Sequence, residues 1–131
     1  MGRREMAERA EVLAGEGALR IERFRFGEVT IGGDRYTDDV IVFEDRVQPR
    51  WWRKAGHLLQ LEDLDGVWEQ ELEALIVGTG TQECMKIAPE VVAYTRQQGV
   101  ELLSFDTRTA CQTFNHLLGK RKIVAVLHLT C

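Results

Sequence analysis

An apolar run that ends in a glycine turn constrains the fold more than any other stretch: Ala74-Leu75-Ile76-Val77-Gly78-Thr79-Gly80. Such a run, bounded by glycine, is typical of a parallel strand that is covered on both faces. A second run, Leu102-Leu103-Ser104-Phe105, stops before Asp106-Thr107. Because a short crossover places two strands parallel in one sheet, the carboxyl ends of these strands are expected to lie side by side.

Two helices and a last strand follow from the same half of the chain. Pro89 suits the first turn of a helix that ends before Gly99. Asp106 or Thr107 is expected to cap a second helix. Its apolar stripe consists of Ala110, Cys111, Phe114, Leu117 and Leu118. The closing segment 123–127 is apolar throughout, which predicts a central strand.

The first part of the chain predicts an antiparallel hairpin. Apolar and charged residues nearly alternate from Leu19 to Phe26, with a one-residue slip that indicates a bulge. Glycine turns at Gly27-Glu28 and Gly32-Gly33-Asp34 bound a short strand. We expect residues 1–18 to form a flexible or frayed helical arm. Residues 19–131 are expected to form a single α/β domain with a mixed central sheet, flanking helices and this additional hairpin.

Composition excludes several classes of protein. The 131 residues suffice for one core, and a net charge of −4 gives no reason to expect nucleic-acid binding. Three cysteines without a CxxC pair favour a reducing compartment, so a cytoplasmic location is expected. No apolar run reaches the ~18 residues that a membrane span needs. The charged N-terminus lacks the features of secretory and mitochondrial targeting signals.

The two strand ends predict a crevice for a ligand, because open α/β sheets bind ligands beyond the carboxyl ends of parallel strands. The candidate residues are Gly78, Thr79, Gly80, Asp106, Thr107 and Asn115. Glycines permit close approach of a backbone, and helix N-termini favour anions. The alternative is structural, since the glycines can simply shape a tight turn and Asp106 can simply cap its helix.

A cluster of aromatic and cationic residues, Arg50-Trp51-Trp52-Arg53, is a candidate surface for a protein partner. The alternative is one tryptophan in the core beside solvated arginines. Cys111 lies on the apolar stripe of its helix, which favours an inert buried thiol over a nucleophile paired with His128. No zinc-site spacing of cysteine and histidine occurs, and we expect no metal and no cofactor.

Several of these features together resemble the adipogenesis-associated domain family, whose mitochondrial branch is a respiratory complex I assembly factor. The residues that carry the resemblance are Tyr36, Asp38-Asp39-Val40, Pro49, Trp51, Gly78-Thr79-Gly80, Pro89, Gly99, Asp106-Thr107, Ala110, Thr113-Phe114-Asn115 and the strand from Val124 to Leu127. The resemblance covers residues 19–129. It implies a three-layer α/β fold with a mixed sheet, and it implies no agreed reaction or catalytic residues.

Two hypotheses for the function follow. The first is a non-enzymatic interaction or assembly protein, which the absence of a catalytic constellation and the Trp-Arg cluster favour. The second is a small-molecule or anion binder, or an enzyme, that uses the crevice at the two strand ends. The sequence favours the first hypothesis, with no catalytic residue assigned. It does not indicate the oligomeric state, the ligand or the identity of a partner.

Overall fold

A computed structural model describes residues 19–131 of the chain. The predicted arm, residues 1–18, lies outside the described residues, and the domain boundary at residue 19 stays a prediction. The strands are β1 (Ile21–Arg25), β2 (Glu28–Ile31), β3 (Asp34–Tyr36), β4 (Val40–Val42), β5 (Val47–Gln48), β6 (Leu58–Leu59), β7 (Ala74–Gly78), β8 (Lys86–Ile87), β9 (Glu101–Phe105) and β10 (Ile123–Leu127). The α-helices of this part are α1 (Pro89–Gln97) and α2 (Thr107–Leu117), and 3₁₀ helices span Leu61–Leu64 and Val67–Glu69.

The central sheet has five strands in the order β5-β4-β10-β7-β9. β10 is parallel to β7 and antiparallel to β4, while β7 is parallel to β9. These pairings confirm the mixed sheet, the parallel pair of strands and the central position of the last strand. They also bring the carboxyl ends of β7, β9 and β10 to one edge of the sheet.

Alternating side chains of the central strands supply two separate cores. In β7, Ala74 and Ile76 pack against α2, whereas Leu75 and Val77 belong to the core that includes Val91 of α1. All five residues of β7 and all five of β10 are buried, because helices or loops cover the sheet on both faces. The structure therefore has the three layers that were expected.

A second sheet, β1-β2-β3, packs on the α2 side of the central sheet. The register between β1 and β2 shifts between Ile21 and Arg23, which is the predicted bulge. Ile21, Val29 and Ile31 contribute their side chains to the core beneath α2. The hairpin therefore extends the layer that contains α2, and its outer strand β1 lies beside that helix.

Candidate functional site

The predicted crevice residues of the two strand ends do come together. The N–H of Gly80 donates to Oγ1 of Thr107 at 2.8 Å, and the N–H of Thr79 donates to the carbonyl of Phe105 at 2.9 Å. Thr79 Oγ1 also donates to the Phe105 carbonyl, at 3.0 Å. Gly78, Thr79, Gly80 and Thr107 are all buried. The parallel register of β7 and β9 thus produces the predicted neighbourhood.

The segment that follows β10 fills this crevice. Thr107 Oγ1 donates to the carbonyl of His128 at 2.6 Å, and the N–H of Thr81 donates to the carbonyl of Thr130 at 2.7 Å. The N–H groups of Gln82 and Cys84 both donate to the carbonyl of Cys131, at 3.2 and 2.9 Å. Backbone donors that an anion would need are therefore satisfied by the chain itself.

Gly80 is shaped to fit this segment. Its φ of +108° is unfavourable for other residues, and a Cβ atom there would lie 2.2 Å from the carbonyl carbon of Cys131 and 2.9 Å from the ring of His128. The glycine therefore permits close approach of a backbone, as the sequence suggested, but the approaching backbone belongs to residues 128–131.

The two remaining crevice candidates have structural tasks. Asp106 caps α2, since its Oδ1 accepts from the N–H of Thr109 at 3.0 Å and its Oδ2 accepts from the Thr109 hydroxyl at 2.8 Å. These bonds, that from the Thr109 N–H foremost, hold the pKa of Asp106 below its ordinary value. Asn115 is not in the crevice. Its side chain bonds the N–H and the carbonyl of Ile21 in β1, because it lies two turns further along α2.

Cys111 lies on the buried face of α2. Burial raises the pKa of its thiol to about 12, so the sulfur is protonated at neutral pH. A protonated thiol is a poor nucleophile and a poor metal ligand. Among residues 19–131, no group of three or more cysteine, histidine or acidic side chains is placed to hold a metal ion.

The structure divides the predicted partner surface into an inner and an outer pair. Trp51 is buried, and its Nε1 donates to the carbonyl of Asp63 at 2.9 Å. The Arg53 side chain is only 5% exposed and stacks on the Trp51 ring, with 4.7 Å between Cζ and the ring centroid. Trp52, by contrast, is 70% exposed, and Arg50 is exposed as well. Of the four predicted residues, Arg50 and Trp52 are the exposed ones.

Asp39, Arg53 and His128 form a buried cluster that contacts the chain next to Trp52. The sequence did not indicate this cluster. Oδ2 of Asp39 lies 2.8 Å from Nη2 of Arg53 and 2.8 Å from Nδ1 of His128. Oδ1 of Asp39 accepts from the N–H of Leu129 at 2.8 Å. Arg53 Nε donates to the carbonyl of Gly56 at 3.0 Å, which fixes the other end of the guanidinium.

The electrostatics of the cluster depend on this pairing. Burial alone would raise the pKa of Asp39, but hydrogen bonds from His128, from the Leu129 N–H and from Arg53 outweigh it and hold the pKa below its ordinary value of 3.8. The carboxylate is therefore charged at neutral pH and neutralises the buried guanidinium. The cluster thus links the residue before β4, the residue after Trp52 and the two residues after β10 by direct contacts.

The signal for this cluster was weak in the sequence. Asp39 stands directly before the apolar strand β4, and His128 directly after the apolar strand β10. Polar residues at strand ends are usual, so neither position indicated burial. Antiparallel pairing of β4 with β10 places the start of one strand beside the end of the other. The contact joins residues 89 positions apart in the chain.

Comparison with known proteins identifies relatives of this chain. Residues 21–128 match the family described as a protein of unknown function (DUF498/DUF598). NADH dehydrogenase (ubiquinone) 1 alpha subcomplex assembly factor 3 of Xenopus tropicalis is 41% identical over 107 residues, which are 80% of this chain and 57% of the frog protein. The mouse protein of the same name is 28% identical over 109 residues, which are 81% of this chain and 57% of the mouse protein. The chain thus spans little more than half the length of these curated relatives.

A solved structure agrees with the fold. The crystal structure of a conserved hypothetical protein from Pyrococcus horikoshii OT3 is similar with a TM-score of 0.76 at 27% identity, covering 86% of this chain and 99% of that chain. No helix within residues 19–131 is long and apolar enough to cross a bilayer. The matched residues run from the start of β1 to His128, so the resemblance drawn from the sequence is confirmed: the chain belongs to the DUF498/DUF598 family.

Proposed function

We propose that this chain is a non-enzymatic interaction protein that helps to assemble a larger protein complex. We further propose that Arg50 and Trp52, together called the Trp52 surface, contact the partner. Two curated relatives are named as assembly factors of NADH dehydrogenase, and they support a role of this kind. The corresponding partner for this chain is a subunit or intermediate of such a complex.

The observation that carries this proposal is the rigid display of Trp52 between two anchored neighbours. Trp51 is buried and Arg53 is ion-paired to Asp39, while the indole between them is 70% exposed. The N–H of Trp51 also donates to the carbonyl of Asp39 at 2.8 Å. The backbone on both sides of Trp52 is therefore held before any partner arrives.

Rigid display favours tight binding for a physical reason. Ordering a mobile side chain and its loop on association costs free energy, and a preorganised backbone avoids most of that cost. Tryptophan and arginine are the residue types most enriched among those that dominate interface energies. An exposed indole, with an exposed arginine two residues before it on the same segment, is the composition that such a surface needs.

In this proposal the crevice has a structural role and binds no ligand. N–H groups of residues 81–84 donate to the carbonyls of Thr130 and Cys131, and Gly80 packs directly on Cys131. The same segment carries His128, which bonds the carboxylate that holds Arg53. Contacts of His128 with Asp39 and of Asp39 with Arg53 therefore link the strand ends to the residue next to Trp52.

We also propose that the chain acts in the cytoplasm. Cys84, Cys111 and Cys131 are free thiols in the structure. An oxidising compartment selects for paired cysteines, whereas a reducing one does not. Fractionation of the host cell, with the tagged chain followed by immunoblot, tests this location. Recovery in a membrane-enclosed or secreted fraction would contradict it.

A domain exchange tests the assembly role. In Xenopus cells that lack the frog relative, the part of that protein that matches residues 21–128 is replaced by this chain, and the rest of the relative is kept. We expect the exchanged protein to restore NADH dehydrogenase on native gels, and Trp52→Ala to abolish the restoration. Phe26→Ala is the matched control, because Phe26 is also exposed, at 62%, but lies in the β1–β2 turn.

Three results of this exchange separately test the Trp52 contact, the specificity of the Trp52→Ala effect and the assembly role. Full restoration by both variants would show that the Trp52 surface is not the contact. Equal loss in both variants would show an effect of surface apolar groups in general. No restoration by the unmutated exchange, with the protein present at normal amounts, would contradict the assembly role.

A further inference from the structure

A groove runs between the outer edge of β1 and α2. One part is a cleft of about 460 Å³, lined by residues 21–24 of β1 and by Arg108, Cys111, Gln112 and Asn115 of α2. A second cleft of about 580 Å³ shares Gln112 and Asn115 with the first and extends to Arg20 and Lys120. The two clefts together are called the β1–α2 groove.

One wall of this groove is an edge of a sheet. β1 pairs with β2 on one side, and among the described residues no strand pairs with its other side. Asn115 bonds the free edge at one point, since its Nδ2 donates to the Ile21 carbonyl at 2.7 Å and its Oδ1 accepts from the Ile21 N–H at 2.9 Å. An amide that bonds both backbone groups of one residue acts as the end of a neighbouring strand would. Beyond it the edge of β1 is open to a further strand.

The charge of the groove opposes that of the chain. The chain has a net charge of −4, yet the residues lining the groove include the four cations Arg20, Arg23, Arg108 and Lys120. Among these lining residues Glu22 is the single carboxylate, and its Oε1 accepts from the N–H of Gly33 at 2.8 Å. This bond directs the carboxylate toward the β2–β3 turn. The groove therefore presents an excess of positive charge.

The helix side of the groove is uncharged where an apolar side chain would rest. Cys111 is buried and protonated, and Gln112 and Asn115 are neutral. The Arg108 guanidinium lies over the Phe24 ring, 5.3 Å from its centroid, which holds this cation at the rim. A ligand that suits these walls has backbone groups for the strand edge, alternate apolar side chains for the helix and acidic side chains for the rim.

We propose that the β1–α2 groove binds an acidic segment of a protein partner in extended conformation, added as a strand to the free edge of β1. Main-chain hydrogen bonds to β1 supply affinity in this mode, and the rim cations select acidic sequences. The proposal does not rest on the Trp52 surface or on the assembly role. A peptide can be tested against the isolated chain without any partner complex.

Fluorescence polarisation with synthetic peptides tests the proposal. The probe is a labelled octapeptide that alternates glutamate and valine, and the comparison peptide has lysine in place of glutamate. We expect saturable binding of the acidic peptide at low salt, weakened as salt increases, and at least about tenfold weaker binding of the basic peptide. A third peptide, N-methylated at alternate amides so that it cannot pair with an edge, is expected to bind as weakly as the basic one.

Charge reversals locate the site. Arg23→Glu and Lys120→Glu are each expected to weaken binding about tenfold, because each replaces an attraction with a repulsion near the ligand. Arg35→Glu is the matched control, since its side chain is 67% exposed on β3 and does not line the groove. It is expected to change the affinity by less than about twofold. Circular dichroism verifies that each variant is folded, and Trp52→Ala is expected to bind the peptide normally.

Amide chemical shifts distinguish the alternatives. Shifts confined to residues 20–25 and 108–120 support the proposal. Shifts centred on the Trp52 surface would overturn it, as would equal affinity for the N-methylated peptide or for the basic one. Tighter binding of an oligothymidylate of the same charge than of the acidic peptide would assign the groove to nucleic acid, and would overturn it as well.

Discussion

Nη2 of Arg53 lies 2.8 Å from Oδ2 of Asp39, and the two side chains are 5% and 13% exposed. This buried ion pair explains why a cationic residue in an exposed-looking Trp-Arg cluster points into the protein. Removing two charges from water is costly, and further hydrogen bonds to both groups offset part of that cost. Here His128 and the Leu129 N–H bond the carboxylate, and the Gly56 carbonyl bonds Nε of Arg53. Nη1 of Arg53 is buried without a hydrogen-bond partner among residues 19–131.

Asp39→Asn is expected to destabilise the fold by about 3–5 kcal/mol, because it leaves the buried Arg53 charge without a counterion. Urea denaturation followed by circular dichroism measures this change. Asp45→Asn is the control, since its pair with Arg46 is exposed at 56% and 72% and should contribute less than about 1 kcal/mol. A similar small effect of both substitutions would contradict the assigned importance of the buried pair.

The contribution of Asp39 should vary with pH in a defined direction. Its pKa is below 3.8 in the folded protein, so the unfolded chain binds more protons as pH falls below that value. The stabilisation from Asp39 is therefore complete above about pH 5 and is lost as pH falls through the folded pKa. We expect the difference in unfolding free energy between the unmutated protein and Asp39→Asn to shrink from pH 5 to pH 3. A difference that grew on acidification would contradict the assignment.

Gly80→Ala is expected to destabilise the fold strongly, because it combines an unfavourable backbone conformation with a clash. Gly99→Ala isolates the first effect, since Gly99 has a φ of +71° but no atom within 4 Å of its added Cβ. We expect about 1 kcal/mol of destabilisation for Gly99→Ala and at least about 3 kcal/mol for Gly80→Ala. Thermal unfolding measures both. Equal values would show that residues 128–131 do not pack on the turn as described.

Trp51→Ala and Trp52→Ala should differ sharply although the residues are adjacent. Trp51 fills part of the core and bonds the Asp63 carbonyl, so its truncation is expected to cost about 3–5 kcal/mol. Trp52 is largely in solvent, and its truncation should change the stability by less than about 0.5 kcal/mol. Chemical denaturation of the two variants under identical conditions checks this. Comparable losses would mean that Trp52 is packed rather than displayed.

Cys111 should react very slowly in the folded protein. With a pKa of about 12, only about one thiol in 10⁵ is ionised at pH 7. Iodoacetamide labelling followed by peptide mass spectrometry is expected to show modification of Cys111 only after denaturation. Rapid labelling of Cys111 under native conditions would contradict its burial and would reopen a nucleophilic role.

Features with local physical causes were predictable from the amino-acid order alone. The apolar run of β7, the proline that opens α1, the aspartate that caps α2 and the slip in β1 each depend on neighbouring residues, and each is found in the structure. The parallel direction of β7 and β9 also followed, because the short crossover between them permits one arrangement.

Whether an individual side chain is buried, and which group it bonds, depended on contacts between distant parts of the chain. Trp51 and Trp52 are identical in type and adjacent in sequence, and periodicity could not show which one is buried. Asp106 caps the start of α2 by accepting from the Thr109 N–H, whereas Asn115, near the other end of α2, bonds Ile21 of β1. The difference arises because α2 packs beside β1. Asp39 meets His128 across 89 positions only because β4 and β10 pair in opposite directions. Charge burial is a property of the assembled surroundings, and the packed fold alone supplies those partners.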